Sequence, residues 1–507
     1  MEWNWNYVIL SAILTFISLV WHLRRKNSYK QSKLPPGPRG WPIFGNLFDV
    51  GNFPHRSLAR LKQEYGPVVW LSFGSVNILA LLSAGPVEEL FKNHDLTFCD
   101  RKSNDALRSH DYINSTMIFS PYNGYLRTLR RMCTSELFAN KRINETTLIR
   151  QKSVDTMLSW IEQEIEKSAT GGILIRDFVF PALYNIIGNL TLSRDLVDPH
   201  SQIPFEFCTV LSGLLECIGR PNISDYLPWL RRLDLQGIRR NMDGYVEKAI
   251  EIMSAYVKER AKQRQQNNTL PSEQRMDFLD VLLDFKGTGN DEPASLSEYQ
   301  VTILLLEMFM AGVGATSNAT EWAMCELLQN PEEMKKIKAE LGRVVGANNK
   351  MQDNDINNLP YLEAIIEETL RMHTPTPILF PKRAVRDTNF MGFSIPKDTQ
   401  VMINNWMISR DEDKWQDPLS FKPERFLDLD INHKGRNYEF LPFGAGRRIC
   451  PGVPLADRML PLILGSLLHH FEWELCDGKK IIDMRETLGA SAKKLEPLQA
   501  IPKRKTK

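Results

Sequence analysis

The sequence predicts a mainly α-helical protein with a minor β portion, in one large domain that follows a single N-terminal transmembrane helix. Three observations lead to this prediction. Residues 125–380 have a mostly helical pattern. Strand-like runs occur at Val68–Phe73 and Asn77–Leu81, and others return after residue 375. No linker or internal repeat divides the body of the chain, so we expect one domain rather than two.

The composition is that of a globular protein and excludes several classes. The 507 residues include 63 Lys or Arg and 61 Asp or Glu, which gives a net charge of +2. So balanced a charge gives no reason to expect a nucleic-acid partner. The seven cysteines are odd in number and far apart. This pattern argues against a disulfide framework and favours a reducing compartment.

Residues 1–23 are predicted to form the membrane anchor. As a helix, Trp3–Trp21 would reach about 28 Å, close to the roughly 30 Å of a bilayer's hydrocarbon core. Tyr7–Val20 carries no charge, and a basic cluster begins at Arg24. The positive-inside rule therefore places the chain after Arg24 in the cytosol. The alternative, a cleaved signal peptide, is disfavoured because neither a basic start nor a small-residue cleavage site is present.

Residues 24–42 are predicted to form a basic, proline-rich hinge between the anchor and the cytosolic domain of residues 43–507. Four of the nine residues in Leu34–Pro42 are prolines. Such a segment cannot form a helix or the interior of a sheet, so we expect a stiff, extended strap. It would hold the domain at a fixed angle to the bilayer.

The longest helix is predicted to begin after Ser297 and to end near Gln329. Ser297 is a plausible N-cap, and about 33 residues would extend about 50 Å, enough to cross the domain. The middle of this helix contains Gly312 and Gly314. Two interpretations of the glycines remain open: close packing of a neighbouring helix, or close approach of a large, flat group to the backbone.

A second helix is predicted over residues 358–373. Glu368 and Arg371 are three residues apart and therefore share a face. Without further context, the pattern indicates an ion pair on the surface.

A cysteine-containing loop near the C-terminus carries the strongest chemical signal. Phe443, Gly446, Arg448, Cys450 and Gly452 have the spacing FxxGxRxCxG, directly before an apolar helix. We expect free backbone amides and the helix dipole to lower the pKa of the thiol, and both glycines to permit tight turns. The arginine would bind a carboxylate, and the phenylalanine would cover the sulfur side of a planar cofactor. A thiolate held in this way suits an axial ligand of haem iron.

With these motifs in this order, the chain resembles the cytochrome P450 superfamily, in particular its plant microsomal members. The resemblance also includes ETLR at Glu368–Arg371 and PERF at Pro423–Phe426. It implies a triangular, mainly α fold with haem b between the long helix and the cysteine loop, and Cys450 as the ligand of the iron. It further implies that Glu368 and Arg371 form a buried group with Arg425.

The resemblance also implies the remaining contacts of the cofactor and the partners. Arg448 and Arg130 would hold the haem propionates, with Lys382 or Arg383 as further candidates. Electrons would come from NADPH through NADPH–cytochrome P450 reductase, because no flavin or nicotinamide fingerprint is present in the chain. The other partners would be dioxygen, a small lipophilic substrate and the endoplasmic-reticulum membrane, which the protein would cross once with its catalytic domain in the cytosol.

Several segments resemble the subgroup of geraniol hydroxylases and ferruginol-type diterpenoid oxidases, and a related alkaloid subgroup is also similar. The segments are Glu136–Thr146, Asp277–Phe285 and the cysteine loop. By alignment with the family, small and aliphatic residues would line the substrate pocket, which favours an apolar plant specialised metabolite, a terpenoid or an alkaloid. These residues are Ala311, Ala315, Ile378, Leu379 and Ala490.

The long helix departs from the family pattern where protons are usually delivered. Gly314 stands in the place of the usual acid and Ala315 in the place of the usual threonine. Thr316 is adjacent, but one residue turns about 100° around a helix, so we do not expect it to substitute directly. Cleavage of dioxygen needs two protons, and positioned acid–base groups typically contribute about 10²–10⁴-fold to a rate.

Three functions therefore remain open. In the first, a monooxygenase receives its protons through a substrate hydroxyl or an ordered water. The second is oxidative phenol coupling, desaturation or ring formation without insertion of oxygen. The third is a haem-binding or partner-binding protein without turnover.

Overall fold

The computed structural model describes nine positions between residues 7 and 19, and residues 33–504 except 52, 103, 168–171, 199–203, 267–276, 290 and 477–480. Most of the predicted anchor lies outside the described residues, and the nine described positions within it are helical. Within the part of the chain that was described, one helix, Glu298–Gln329, is long and apolar enough to span a membrane. Most of its apolar window is buried inside the fold, as in the core helix of a globular protein.

Helices form most of the body, which confirms the mainly α prediction. In chain order they are α1 Leu47–Val50, α2 Pro54–Tyr65, α3 Ala84–Asn93, α4 Tyr112–Ser115, α5 Gly124–Met132, α6 Asn140–Glu145, α7 Thr147–Lys167, α8 Arg176–Leu192, α9 Pro204–Gly219, α10 Ile223–Tyr226, α11 Ile238–Gln266, α12 Phe278–Asp284, α13 Glu298–Gln329, α14 Pro331–Val344, α15 Pro360–Met372, α16 Asn405–Ile408, α17 Arg425–Asp428 and α18 Val453–His470. Short 3₁₀ turns cover Asp105–Asp111, Pro228–Leu233, Asp353–Asn358 and Gly446–Arg448, and a π turn covers Cys133–Leu137.

The minor β portion consists of twelve short strands in the described ranges. They are β1 Val68–Phe73, β2 Val76–Leu81, β3 Asp100–Arg101, β4 Ile173–Leu174, β5 Lys382–Arg383, β6 Thr388–Phe390, β7 Phe393–Ile395, β8 Gln400–Ile403, β9 Phe471–Leu475, β10 Glu486–Leu488, β11 Ala492–Lys494 and β12 Gln499–Arg504. The largest sheet has the order β1-β2-β8-β5-β3, and smaller sheets have the orders β4-β12-β9, β6-β7 and β10-β11. In the largest sheet β2 and β8 are parallel, and β3 and β5 pair Arg101 with Lys382.

The long helix α13 lies in the centre of the core. It begins as predicted, because the Ser297 side chain accepts a hydrogen bond from the Gln300 amide and the Gln300 side chain accepts one from the Ser297 amide. Its neighbours include α8, α11, α15 and α18. A Cβ added at Gly312 would lie 3.1 Å from Ile187 of α8, so this glycine permits close packing of two helices.

The proline strap is bound to the largest sheet and to the two-stranded sheet β6-β7. The Trp70 amide in β1 donates to the Pro36 carbonyl at 2.8 Å, and the Ser394 amide in β7 donates to the Lys33 carbonyl at 2.8 Å. A Cβ added at Gly37 would lie 1.9 Å from the Trp70 carbonyl oxygen, so only glycine permits this approach. Residues 33–42 are therefore a fixed part of the folded body.

Candidate functional site

A cavity of about 320 Å³ lies between the middle of α13 and the loop that precedes α18. Most of the side chains that line it are apolar. Many residues singled out in the sequence line this cavity, namely Arg130, Ala311, Gly314, Ala315, Thr316, Leu379, Phe443, Arg448, Cys450, Gly452 and Ala490. Gly446, Arg383 and Ile378 are absent from the lining. Distant parts of the sequence thus meet around one space.

Cys450 lies at one wall of the cavity, directly before α18. Its amide donates to the Phe443 carbonyl at 3.0 Å, which closes the loop. Burial raises the pKa of the Cys450 thiol, although the Gly452 amide and the guanidiniums of Arg130 and Arg101 act in the opposite direction. The expected lowering of this pKa is therefore wrong for the cysteine by itself, because removal from water outweighs the amide and the cations. A thiol that coordinates a metal is deprotonated by the metal.

The two glycines of this loop have different roles. Gly446 has a φ of +67°, and a Cβ there would approach Phe91 at 2.7 Å and Asp95 at 2.8 Å. It is thus required by the turn and by close packing. Gly452 caps α18 with a φ of −84°, which any residue can adopt, so the expectation of a glycine-dependent turn at this position is wrong.

Four cations line the cavity. They are Arg101, Arg130, Lys382 and Arg448, and Glu307 is the sole carboxylate among the lining residues of the described chain. Burial, followed by mutual repulsion among the guanidiniums, lowers the pKa of Arg101 to about 9, and burial and Arg130 lower that of Arg448 to about 10. The Nε of Arg101 is buried without a hydrogen-bond partner. Lys382 also pairs with Asp95 at 3.5 Å. The positive charge that remains in this largely apolar cavity is costly unless an anion binds. These residues therefore fit the two carboxylates of haem.

The alternation of side chains along β5 determines which of the two predicted cations, Lys382 or Arg383, faces the cavity. Successive side chains of a strand point to opposite faces, so only one of the pair faces the cavity. Lys382 faces it. Arg383 instead pairs with Asp100 at 2.8 Å and with Asp398 at 3.3 Å, which removes it from the predicted propionate contacts.

Arg101 is a cation of the cavity that was not predicted from the sequence, as Glu307 also was not. It belongs to no local motif, and its position follows from the pairing of β3 with β5, which sets it beside Lys382. Its Nη1 donates to the Ile118 carbonyl at 2.7 Å. Its immediate neighbours, Asp100 and Lys102, are also charged, so the local sequence does not distinguish it.

Ile378 lies outside the predicted pocket. It forms an isolated β-bridge with Asn404 and packs against a second apolar cluster that includes Val69 and Leu71. The next residue, Leu379, lines the cavity. The segment is extended here, so adjacent side chains again take opposite sides.

The middle of α13 presents no acid where the family pattern has one. A Cβ added at Gly314 would meet only Leu215, at 3.8 Å, so this position opens onto the cavity. Ala315 also lines the cavity. The Thr316 hydroxyl donates to the Gly312 carbonyl at 2.9 Å and is thereby held by its own helix.

Glu368, Arg371 and Arg425 form a buried group beside α15. Arg371 donates to both oxygens of Glu368, at 2.7 and 2.9 Å, and Arg425 Nε donates to Glu368 at 3.0 Å. The Glu368 and Arg371 side chains are both 0% exposed. The interpretation of this pair as a surface ion pair is therefore wrong, and the arrangement is the one that the family resemblance implies.

Comparisons with known proteins identify relatives of this chain. A family model described as cytochrome P450 matches residues 35–500. The chain is 47% identical to cytochrome P450 76A2 of Solanum melongena, over 99% of this chain and 100% of that protein. It is 43% identical to an iridoid oxidase of Catharanthus roseus, over 98% and 97% of the two chains. It is also 38% identical to a geraniol 8-hydroxylase of Swertia mussotii, over 94% of each.

A solved structure shows the same fold. A zebrafish cytochrome P450 with progesterone superimposes with a TM-score of 0.74 at 25% identity, over 89% of this chain and 99% of that one.

Proposed function

Because this chain belongs to the cytochrome P450 family, we propose that it is an endoplasmic-reticulum monooxygenase that oxidises a lipophilic terpenoid, with NADPH–cytochrome P450 reductase as its electron donor. Membership of this family makes the protein an oxidoreductase with haem as its cofactor. It also implies that the protein uses a redox partner, dioxygen and a small lipophilic substrate. The observation that carries the proposal is the apolar cavity bounded by Cys450, with four cations in its lining. The terpenoid class rests on relatives named for oxidation of iridoids and geraniol.

The chain's own residues have distinct tasks in this proposal. The Sγ of Cys450 would bind the haem iron, and Arg101, Arg130, Lys382 and Arg448 would neutralise the two haem carboxylates. When bound, haem supplies the redox centre at which dioxygen is activated. The apolar lining excludes bulk water and holds the substrate by its shape.

Incubation with isotopically labelled dioxygen, NADPH, the reductase and a panel of terpenoids and alkaloids tests the proposal. We expect one atom of the label in the product of a terpenoid. An unlabelled product would instead support phenol coupling, desaturation or ring formation, which the absence of an acid at Gly314 and of a hydroxyl at Ala315 favours as a second candidate. If the haem-loaded protein consumes no substrate, the proposal fails in favour of a binding protein.

Restoring the usual pair with Gly314→Asp and Ala315→Thr tests how protons reach the cavity. Position 314 has room for a side chain, since its nearest neighbour is Leu215. We expect product formed per NADPH consumed to rise by about 10-fold or more, since positioned acid–base groups contribute about 10²–10⁴-fold. Gly314→Asn with Ala315→Val, which has nearly the same side-chain shapes but neither the acid nor the hydroxyl, is the control and should not raise this ratio. If the restored pair lowers the ratio, proton delivery does not limit product formation in the native protein.

Exposed apolar side chains near the strap and α10 support the proposed membrane association. The end of α10 contacts β1 and the turn that follows it, because the Ser75 amide donates to the Tyr226 carbonyl at 2.9 Å and the rings of Phe73 and Tyr226 lie 5.6 Å apart. The large apolar side chains exposed on the segment after α10 and near the strap are Trp41, Phe48, Trp229, Leu233 and Leu235. Their burial in a lipid interface would be favourable by roughly 1.5–3 kcal/mol for each side chain fully removed from water.

Removal of residues 2–23 should therefore weaken but not abolish binding to phospholipid vesicles. We expect Trp229→Glu with Leu233→Glu to lower the remaining vesicle affinity by about 10-fold or more, measured by flotation. The control is Leu148→Glu with Leu419→Glu, which changes two leucines that are at least as exposed elsewhere. Equal effects of the two pairs would show that the face near Trp229 has no special contact with lipid.

A further inference from the structure

Glu307 is a buried carboxylate of α13 that the proposed reaction does not use. Its side chain is 0% exposed and lines the cavity. It accepts hydrogen bonds from the Met117 amide at 2.7 Å, the Ile118 amide at 3.4 Å and the Tyr112 hydroxyl at 3.3 Å. The Thr116 hydroxyl donates to it as well. Four donors thus converge on one carboxylate from α4 and the loop that follows.

The same loop is held from its other side by two of the cavity cations. We call residues 116–120 the roof loop. Arg101 Nη1 donates to the Ile118 carbonyl at 2.7 Å, and Arg448 Nη1 donates to the Met117 carbonyl at 3.4 Å. The Arg448 guanidinium also donates to the Ser120 carbonyl. Consequently two amides of the roof loop are bound by Glu307 of the long helix, and three of its carbonyls are bound by the guanidiniums that fit the haem carboxylates.

The side chains of the roof loop form part of the cavity wall. Met117, Ile118 and Phe119 all line the cavity. The ring of Phe119 meets the edge of Phe380, another lining residue, with the ring centroids 5.8 Å apart. A shift of the roof loop backbone would therefore change the shape that a substrate meets.

We propose that Glu307 is a positioning residue that fixes the roof loop between α13 and the haem-binding guanidiniums, and that it thereby sets which ligands the cavity accepts. The part that concerns ligand choice rests on the proposed function, whereas the part that concerns loop order does not. Hydrogen bonds to a charged group are stronger than those between neutral groups, so this one side chain has enough partners to decide the loop conformation.

The charge of Glu307 matters because all of its partners are donors. Burial raises the pKa of Glu307 to about 7, while the donors from Thr116, Met117, Ile118 and Tyr112 act to lower it. The other titratable groups that face it are Arg101, Tyr125 and Cys133. Burial favours the neutral carboxyl and the donors favour the ionised one, so loss of the negative charge would weaken each of these hydrogen bonds.

The test compares Glu307→Gln with Glu321→Gln in the full-length, haem-loaded protein. Glu321 is a matched control, because it is a buried glutamate of the same helix that accepts a hydrogen bond from the distant Leu498 amide at 2.7 Å, and it does not line the cavity. We expect hydrogen exchange in the peptide that contains Met117 and Ile118 to become at least about 10-fold faster in Glu307→Gln and to stay unchanged in Glu321→Gln. This measurement needs neither substrate nor turnover.

Ligand choice is measured with phenylimidazole, whose nitrogen binds haem and whose ring occupies the cavity. We expect its affinity to fall by about 10-fold in Glu307→Gln, with partial recovery in Glu307→Asp, which retains the charge, and with no change in Glu321→Gln. Unchanged exchange at Met117 and Ile118 would overturn the proposal. Faster exchange with unchanged phenylimidazole affinity would overturn its ligand-choice part, and equal effects in Glu321→Gln would reduce it to general destabilisation. A failure of the proposed terpenoid oxidation would leave the exchange result intact.

Discussion

Cys450→Ser should abolish turnover and the spectrum of a thiolate-ligated haem while leaving the polypeptide folded. Serine has nearly the same size as cysteine and keeps the loop amide that donates to Phe443. Its hydroxyl does not ionise near neutral pH and cannot donate electron density as a thiolate does. We expect loss of the thiolate-type absorption of the ferrous carbon monoxide complex, together with at least about a 10³-fold loss of product formation.

Cys217→Ser is the control for this substitution. Cys217 is buried but does not line the cavity. It should retain both the spectrum and the activity. A Cys450→Ser protein that turned over normally, or a native ferrous carbon monoxide complex with the absorption of a histidine-ligated globin, would contradict the assignment of Cys450.

Glu368→Gln should have the largest effect on stability. The substitution removes the negative charge between Arg371 and Arg425 while all three side chains stay in place. Arg371 is fully buried, and its other partners are carbonyl oxygens such as those of Ser409 and Pro418. Loss of one member of a buried ion pair typically costs about 3–5 kcal/mol, because it leaves a buried charge without compensation.

Urea unfolding followed by circular dichroism, together with haem retention, measures this effect. We expect the midpoint to fall markedly and haem to be lost at lower urea than in the native protein. Glu88→Gln is the control, because Glu88 pairs with Lys92 on the exposed face of α3, and exposed pairs contribute little to stability. Similar midpoints for Glu368→Gln and native protein would show that the buried group does not hold the fold together.

The features that could be predicted from the sequence were those with local causes. The start of α13 follows from the reciprocal side-chain bonds of Ser297 and Gln300, which lie three residues apart. The cysteine loop has five informative residues within ten, so its contact with the cavity was predictable. In both features the interacting residues are close together in the chain, so a local sequence pattern is enough to predict them.

The features that could not be predicted depend on distant partners. The pairing of β5 with β3 and β8 determines whether Lys382 or Arg383 faces the cavity. No local sequence pattern shows which face of the strand each side chain takes. Arg101 enters the site through the same pairing. The raised pKa of Cys450 comes from burial by segments far away in sequence, which a helix-dipole argument does not include.

The fixed strap limits how this protein can be shortened for crystallisation or soluble expression. The Lys33 and Pro36 carbonyls accept bonds from β7 and β1, and Leu34 packs against the apolar cluster of the largest sheet. A clone whose first codon lies upstream of Lys33 keeps these contacts. One that starts after Gly37 exposes the outer edge of β1, where unpaired backbone groups invite self-association. An N-terminal truncation should therefore stop before Lys33, about ten residues before the end of the proline-rich segment at Pro42.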